Sequence, residues 1–312
     1  STNIKKLSNN ININQKKVDE IEGRARSLDG WQLGFTALVA FMWSLFQLWH
    51  ASPLPYVFKM GVFIDVPARA IHLAFALTIC FLLFSFSKHK RATKFSVLDL
   101  ILSLLAACGC LYIFAFYEEI VDQNGVLQVF SFSLNNQQYL FPSELVLGVM
   151  GICFLLEATR RAIGLPLVII AVVFLIYSYF GQSMPDLIAH QGLSISRLVG
   201  YQWLGGEAIF GIPISVSVSF VFLFVLFGSM LDQAGGGKYF LNLAVALVGR
   251  FRGGPAKAAI LASGLTGMIS GSSIANVVTT GTFTIPTMKR TGFTAVKAGA
   301  IEVAASVNGQ IM

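Results

Sequence analysis

The stretch Met268–Met288, MISGSSIANVVTTGTFTIPTM, concentrates oxygen-bearing side chains that carry no fixed charge. Ser270, Ser272, Ser273, Asn276, Thr279 and Thr280 crowd together there, with Gly271 among them. Neutral oxygens, with backbone carbonyls completing the shell, are ligands that a small hard cation accepts. The set favours sodium, with Ser270, Ser273 and Asn276 as its candidate ligands. The competing reading is close helix packing, since Gly267 and Gly271 form a GxxxG spacing. Glu302 is the second residue of interest, because it lies inside an apolar segment, where an ionisable group is a functional candidate by default. It can tune cation affinity, carry a proton, or serve as a buried partner for a helix terminus.

The elements that hold these residues belong to a membrane. The chain is 55% hydrophobic and 12% charged, with a mean hydropathy of +0.71; a soluble domain carries about 25% charged residues. Apolar stretches run over Trp31–Trp49, Ala70–Ser87, Phe95–Tyr117, Glu144–Thr159, Leu165–Phe180 and Pro213–Leu231. Each approaches the roughly 20 residues that cross a hydrocarbon core. This is the pattern of an all-α integral membrane protein.

Lys and Arg test that count independently. Basic residues crowd the N-terminal tail, the connection after the second stretch (Lys88, Lys90, Arg91, Lys94), that after the fourth (Arg160, Arg161), and that after the sixth (Lys238, Arg250, Arg252, Lys257). Every second connection is basic, which places the N-terminus in the cytoplasm. An acidic connection with Glu118, Glu119 and Asp122 leads into LQVFSFSL, an alternation that suits a short hairpin facing outward. Residues 185–204 are expected outside, as a helix along the membrane surface. Phe240, Leu243, Leu247 and Phe251 recur at helical spacing between Gly-rich ends, the mark of an amphipathic helix in the interface.

Ala258–Met288 departs from this pattern. Its flanks, Lys257 and Lys289, are both basic and both predict the cytoplasmic side, whereas one crossing helix would separate them. A re-entrant helical hairpin satisfies both flanks. Each arm of about a dozen residues rises roughly 18 Å, which carries a tip at Ser270–Asn276 past the middle of a core about 30 Å thick. Irregular backbone at that depth is tolerated where it is buried in protein or lines a wet cavity, and secondary transporters hold ions on such broken helices.

Other charged residues read as structural. Glu157 precedes Arg160 and Arg161 by three and four residues, as in a snorkelling interfacial pair. Asp99 lies within reach of Lys94, Asp232 ends the sixth stretch, and KHKR, residues 88–91, suits anionic lipid headgroups. Cys80, Cys108, Cys110 and Cys153 match neither a zinc pattern nor a CxxC pair and read as small buried residues. The basic residues are spread between apolar segments rather than gathered on one face, so no nucleic-acid surface is expected. An intramembrane serine protease needs a His base, but His50, His72, His89 and His190 all precede the hairpin in the chain. Asp99 and Asp232 are both terminal in their stretches, which removes an aspartyl pair. No enzyme is expected.

The segment GGPAKAAILASGLTGMISGSSIANVVTTGTFTIPTMKRTGF, continued by AGAIEVAASVNGQIM, resembles the large membrane domain of TRAP transporters, of the TAXI type. LLEATRRAIGLPLVIIAVVFLIYSYFG is similar to the join between small and large domains in fused members. The resemblance implies an elevator-type importer of small organic acids, driven by a sodium or proton gradient and fed by a periplasmic substrate-binding protein, in the bacterial inner membrane. It implies a cytoplasmic tail over 1–30, a four-helix scaffold over 31–163, a connecting helix and periplasmic segment over 164–208, and the first part of a transport domain over 209–312. The family's ion-binding region maps onto Ser270–Thr280 and onto Glu302, Ser306, Asn308 and Gly309. Val307-Asn308 stands where the family pattern usually has Thr-Gly. A second hairpin is expected beyond Met312, in a longer protein. A structural membrane subunit, or a channel-like component without coupled transport, is the alternative reading.

Overall fold

The computed structural model describes residue 26 and residues 28–63, 65–86, 94–122, 130–134, 137–270 and 273–307. The N-terminal tail to residue 25, the basic cluster at 88–91 and the Asp232 side chain lie outside the described residues. The described chain is helical apart from one short hairpin, and it divides into two compact units, Arg24–Val221 and Phe222–Met312. Four helical stretches are long and apolar enough to cross a membrane: Trp31–Ala51, Asp65–Leu83, Val97–Asp122 and Ile212–Leu231. Leu165–Tyr179 is apolar but has 15 residues, about 22 Å of helix.

In the first unit, α1 (Trp31–Ala51), a short α2 (Leu54–Phe58), α3 (Asp65–Leu83) and α4 (Val97–Asp122) precede the hairpin. Its strands, β1 (Phe130–Leu134) and β2 (Gln137–Phe141), pair antiparallel with Phe130 opposite Phe141, at the segment whose alternation announced a hairpin. Then come α5 (Ser143–Ala162) and α6 (Leu165–Tyr179), joined through Gly164 at φ 127°, a conformation that only glycine adopts freely. The core is a helical stripe on α3 (Val66, Ala70, Leu73, Leu77, Phe81) against Ala106, Cys110 and Ile113 of α4. Water gives membrane helices no reason to associate, so small residues at the seam let backbones approach and dispersion hold them.

Four expectations change here. Within 185–204 the regular helix is confined to α7 (Ile195–Val199) and a π-helical turn (Gly200–Leu204). Trp203 is 1% exposed, seated on Gly148 and Gly151 of α5, so this end belongs to the unit's own core. Asp99 pairs with Arg26 and Arg161 rather than with Lys94, and Arg161 is buried rather than snorkelling. Glu157 pairs with both arginines, at 2.7 Å each. Of the cysteines, Cys110 is buried and Cys80 half-buried, whereas Cys108 and Cys153 are exposed on the helix surface.

Toward its end this unit runs through α8 (Ile212–Val216) into a π-helical turn, Ser217–Val221. A π-turn disturbs the ladder of carbonyls, and Gln47 Nε2 donates to Val218 O at 2.8 Å, while His72 Nε2 lies 3.1 Å from Ser217 Oγ.

The second unit contains α9 (Phe222–Gln233), α10 (Gly236–Val248), α11 (Gly254–Ser270), α12 (Ser273–Arg290) and α13 (Ala295–Val307). In α10, Ala244 is buried and Leu241 and Val248 pack beside it against Ala258 and Ala262 of α11; Leu247 and the nearby Phe251 stay exposed. Of the stripe read from the sequence, Leu247 and Phe251 are thus exposed, while Phe240 and Leu243 are half-buried.

Candidate functional site

Local signals build the three helices of the site. Pro255 stands in the first turn of α11, where a missing N–H costs nothing. α12 stops at Gly292, which has φ 97°; Gly292 N donates to Lys289 O at 3.2 Å and Phe293 N to Met288 O at 3.1 Å. Such a left-handed glycine closes helices. Thr294 then opens α13, its Oγ1 accepting from Lys297 N at 3.4 Å. Residues 271 and 272, between α11 and α12, lie outside the described residues.

Each helix contributes one stripe. α11 buries Ala259, Ser263 and Thr266; α12 buries Asn276, Thr280 and Thr284, every fourth residue; α13 buries Ala298, Glu302, Ala305 and Ser306. At one end Ala259, Met288 and Ala298 form an apolar plug with Phe293 beside it. Small residues bring the backbones close enough for short polar groups to meet.

The polar groups then interlock. Asn276 Nδ2 donates to Ser263 O at 2.8 Å and to Ser263 Oγ at 3.1 Å, tying the two arms together. Ser263 Oγ lies 2.9 Å from Ser306 Oγ. Thr280 Oγ1 is 2.7 Å from Asn276 O and also touches Glu302 Oε1. Thr284 Oγ1 is 3.0 Å from Thr280 O and 2.5 Å from Glu302 Oε2. Glu302 is 0% exposed, and Gly281 makes room for it, because a Cβ there would stand 3.2 Å from Glu302 Cγ.

One atom in this network is unsatisfied. Asn276 Oδ1 is buried and accepts no hydrogen bond among the described residues. An unpartnered buried acceptor costs about 1–3 kcal/mol, more than the roughly 0.6 kcal/mol that a hydrogen bond between membrane helices returns on average. Helix packing alone would not favour that oxygen. A ligand to it would.

Of the residues singled out in the sequence, Asn276, Thr280, Glu302 and Ser306 come together here. Ser273 opens α12 and is half-buried, with no hydrogen bond to the network among the described residues. The side chains of Ser270 and Thr279, and residues Gly271, Ser272, Asn308 and Gly309, lie outside the described residues. Two members went unnoticed in the sequence. Thr284 continues the Asn276–Thr280 spacing by one more turn, a signal that was legible. Ser263 is one of three hydroxyl residues in an Ala- and Gly-rich helix and gives no local sign.

Comparison with known proteins gives the family. Residues 150–312 match the family model of the tripartite ATP-independent periplasmic transporter DctM component, so the match includes all three helices of the site. Over 172 residues the chain is 30% identical to the uncharacterized protein YgiK of Salmonella typhimurium, covering 55% of this chain and 35% of that protein. It is 40% identical over 70 residues to the C4-dicarboxylate TRAP transporter large permease protein DctM of Rhodobacter capsulatus, covering 22% of this chain and 16% of that one. A putative TRAP transporter large permease protein of Haemophilus influenzae is 29% identical over 107 residues, covering 34% and 24%. The matched regions thus span at most 35% of these relatives' lengths. No solved structure matches. With more than half of its residues inside the family model and four membrane-length apolar helices, the chain is a multi-pass membrane protein of the TRAP transporter DctM family.

Proposed function

We propose that this chain is the permease of a binding-protein-dependent secondary transporter, of the TAXI type with fused small and large domains. It imports small organic acids across the bacterial inner membrane with its N-terminus in the cytoplasm. A periplasmic substrate-binding protein delivers the substrate, and a sodium or proton gradient drives uptake. The carboxylate class is supported by family membership and by the name of the Rhodobacter capsulatus relative. The scaffold is the N-terminal four-helix region. The Ser- and Thr-rich hairpin enters from the cytoplasmic side and moves with the transport domain as an elevator.

The observation that carries this reading is the unsatisfied Asn276 Oδ1 beside the Ser263 and Ser306 hydroxyls, deep between three helices. Neutral oxygens at a helix break are what transporters offer a coupling cation near the membrane midplane. Ser270 and Ser273 complete the candidate ligand set, with Thr279, Asn308 and Gly309 close in sequence.

Uptake by the full-length protein and its binding protein in proteoliposomes, with each gradient imposed alone, tests this. Asn276→Ala and Ser273→Ala are expected to weaken the dependence of uptake on the driving cation. Unchanged cation dependence in both variants would remove the hairpin as the ion site.

A further inference from the structure

The loop that follows α6 reverses the order of an ordinary surface loop. Between Arg161 and Arg197 the only Asp, Glu, Lys or Arg is Asp186. Polar side chains of the loop are turned onto its own backbone, and apolar ones face out.

His190 is the clamp. Gly192 N donates to His190 Nδ1 at 3.1 Å, so the ring proton sits on Nε2, which donates to Tyr177 O at 3.1 Å. The ring lies on Gly181, where a Cβ would stand 2.2 Å from it. His190 N donates to Gly181 O at 3.1 Å and Leu193 N to Ser178 O at 2.9 Å, which closes the loop at its base. Gln182 Nε2 donates to Gln191 O and the Tyr177 hydroxyl to Ile188 O, both at 2.7 Å. At the tip, Ile188 N donates to Pro185 O at 2.9 Å. Six carbonyls that a loop in water could leave to solvent are thus paired within the chain.

The outer surface is apolar by contrast. Leu187 is 99% exposed and Ile188 50%. Met184 lines an apolar groove of about 390 Å³ with Val173, Phe174, Ile176 and Tyr177, so the exposed apolar surface of α6 runs on into the loop. Tyr179 and Phe180 are exposed at the junction, where aromatic rings suit the headgroup level.

Helix length sets the depth. α6 begins four residues beyond Arg161, at the basic end of α5. Its 15 residues rise about 22 Å, short of a hydrocarbon core about 30 Å thick. The loop therefore starts at the hydrocarbon boundary, where irregular backbone has to satisfy itself. We propose that residues 181–193 form a lipid-interface anchor, with Leu187 and Ile188 entering the boundary between acyl chains and headgroups. A protein partner would draw on polar groups as well as apolar area, and this loop has spent its polar groups on itself.

Fluorescence of the full-length protein tests this without transport or a binding protein. The native cysteines are replaced, and Leu187→Cys carries a polarity-sensitive label in vesicles of phosphatidylcholine and phosphatidylglycerol. Lipid spin-labelled high on its acyl chain is expected to quench the label at least about twofold, and iodide to quench it at least about fivefold less than the same label on free cysteine. His190→Ala leaves Tyr177 O and Gly192 N without their partner, and the lipid quenching at position 187 is expected to fall by about half. Quenching by iodide and not by lipid means a solvated loop and overturns the anchor. Shielding from both quenchers means that protein covers the tip, which overturns it equally. Unchanged lipid quenching in His190→Ala removes the clamp from the account. Should the Leu187→Cys protein fail to fold, Ile188→Cys gives the same reading.

Discussion

Asn276 of α12 donates to the backbone carbonyl of Ser263 in α11 at 2.8 Å, joining two helices through residues 13 positions apart. A side chain that holds an opposing backbone in this way fixes the depth at which the two helices register. Asn276→Leu keeps the volume roughly constant but removes both donations to Ser263. It is expected to lower the thermal midpoint of the detergent-purified protein by an amount equivalent to about 1–3 kcal/mol. Hydrogen exchange in α11 and α12 should quicken with it. An unchanged midpoint would mean that apolar contacts alone hold the arms.

Asp99 carries two guanidiniums, with Arg161 Nη1 at 2.6 Å and Arg26 on its other oxygen. All three residues are buried. Arg161 also lies over the Phe81 ring at 4.9 Å, and Arg26 N donates to Leu83 O at 2.8 Å. Removing one member of such a group leaves uncompensated buried charge. Asp99→Ala should therefore cost about 3–5 kcal/mol, read as a large fall in thermal midpoint. In a double-mutant cycle with Arg161→Leu, a coupling near zero would contradict the pairing.

Gly151 lies under the Trp203 indole, where a Cβ would stand 2.1 Å from a ring carbon, and at Gly148 it would stand 2.3 Å from Val199 Cγ1. Gly151→Ala should force the indole out of place and cost about 1–3 kcal/mol, with a change in tryptophan emission. Gly34, inside α1, has open space around its Cβ position. Gly34→Ala should stabilise by roughly 0.5–1 kcal/mol through helix propensity. Equal effects at the two positions would sink the packing account.

The re-entrant reading requires both ends of the hairpin on one side of the membrane. With the four native cysteines replaced, Lys257→Cys and Lys289→Cys should both react with an impermeant maleimide in inside-out vesicles. Neither should react in right-side-out vesicles. Reaction from opposite sides would show a single crossing instead.

Much of the architecture was legible because it depends on local pattern. Apolar length marks the helices at Trp31, Asp65, Val97 and Ile212, since a hydrocarbon core selects for it wherever the partners lie. Alternation marked the strand at Phe130, and the Lys-Arg-Thr-Gly-Phe ending marks the stop of α12, because a glycine at positive φ closes a helix within a few residues. Asn276, Thr280 and Glu302 could be singled out, since polar atoms in apolar segments stand out by type alone; Ser306 entered only through the family resemblance.

Their partners could not be read the same way. Ser263 looks like any small residue of a tightly packed helix until Asn276 is set against it. Arg26 and Arg161 find Asp99 across 73 and 62 residues, in preference to the nearer Lys94. Trp203 fills space opened by two glycines of another helix. A one-dimensional pattern records which face of a helix is buried. Which faces meet depends on the shapes of both surfaces and on where their polar atoms fall, and that is settled only when the helices pack. The assignment of Glu302 to two threonines, rather than to a basic residue, is a product of that packing.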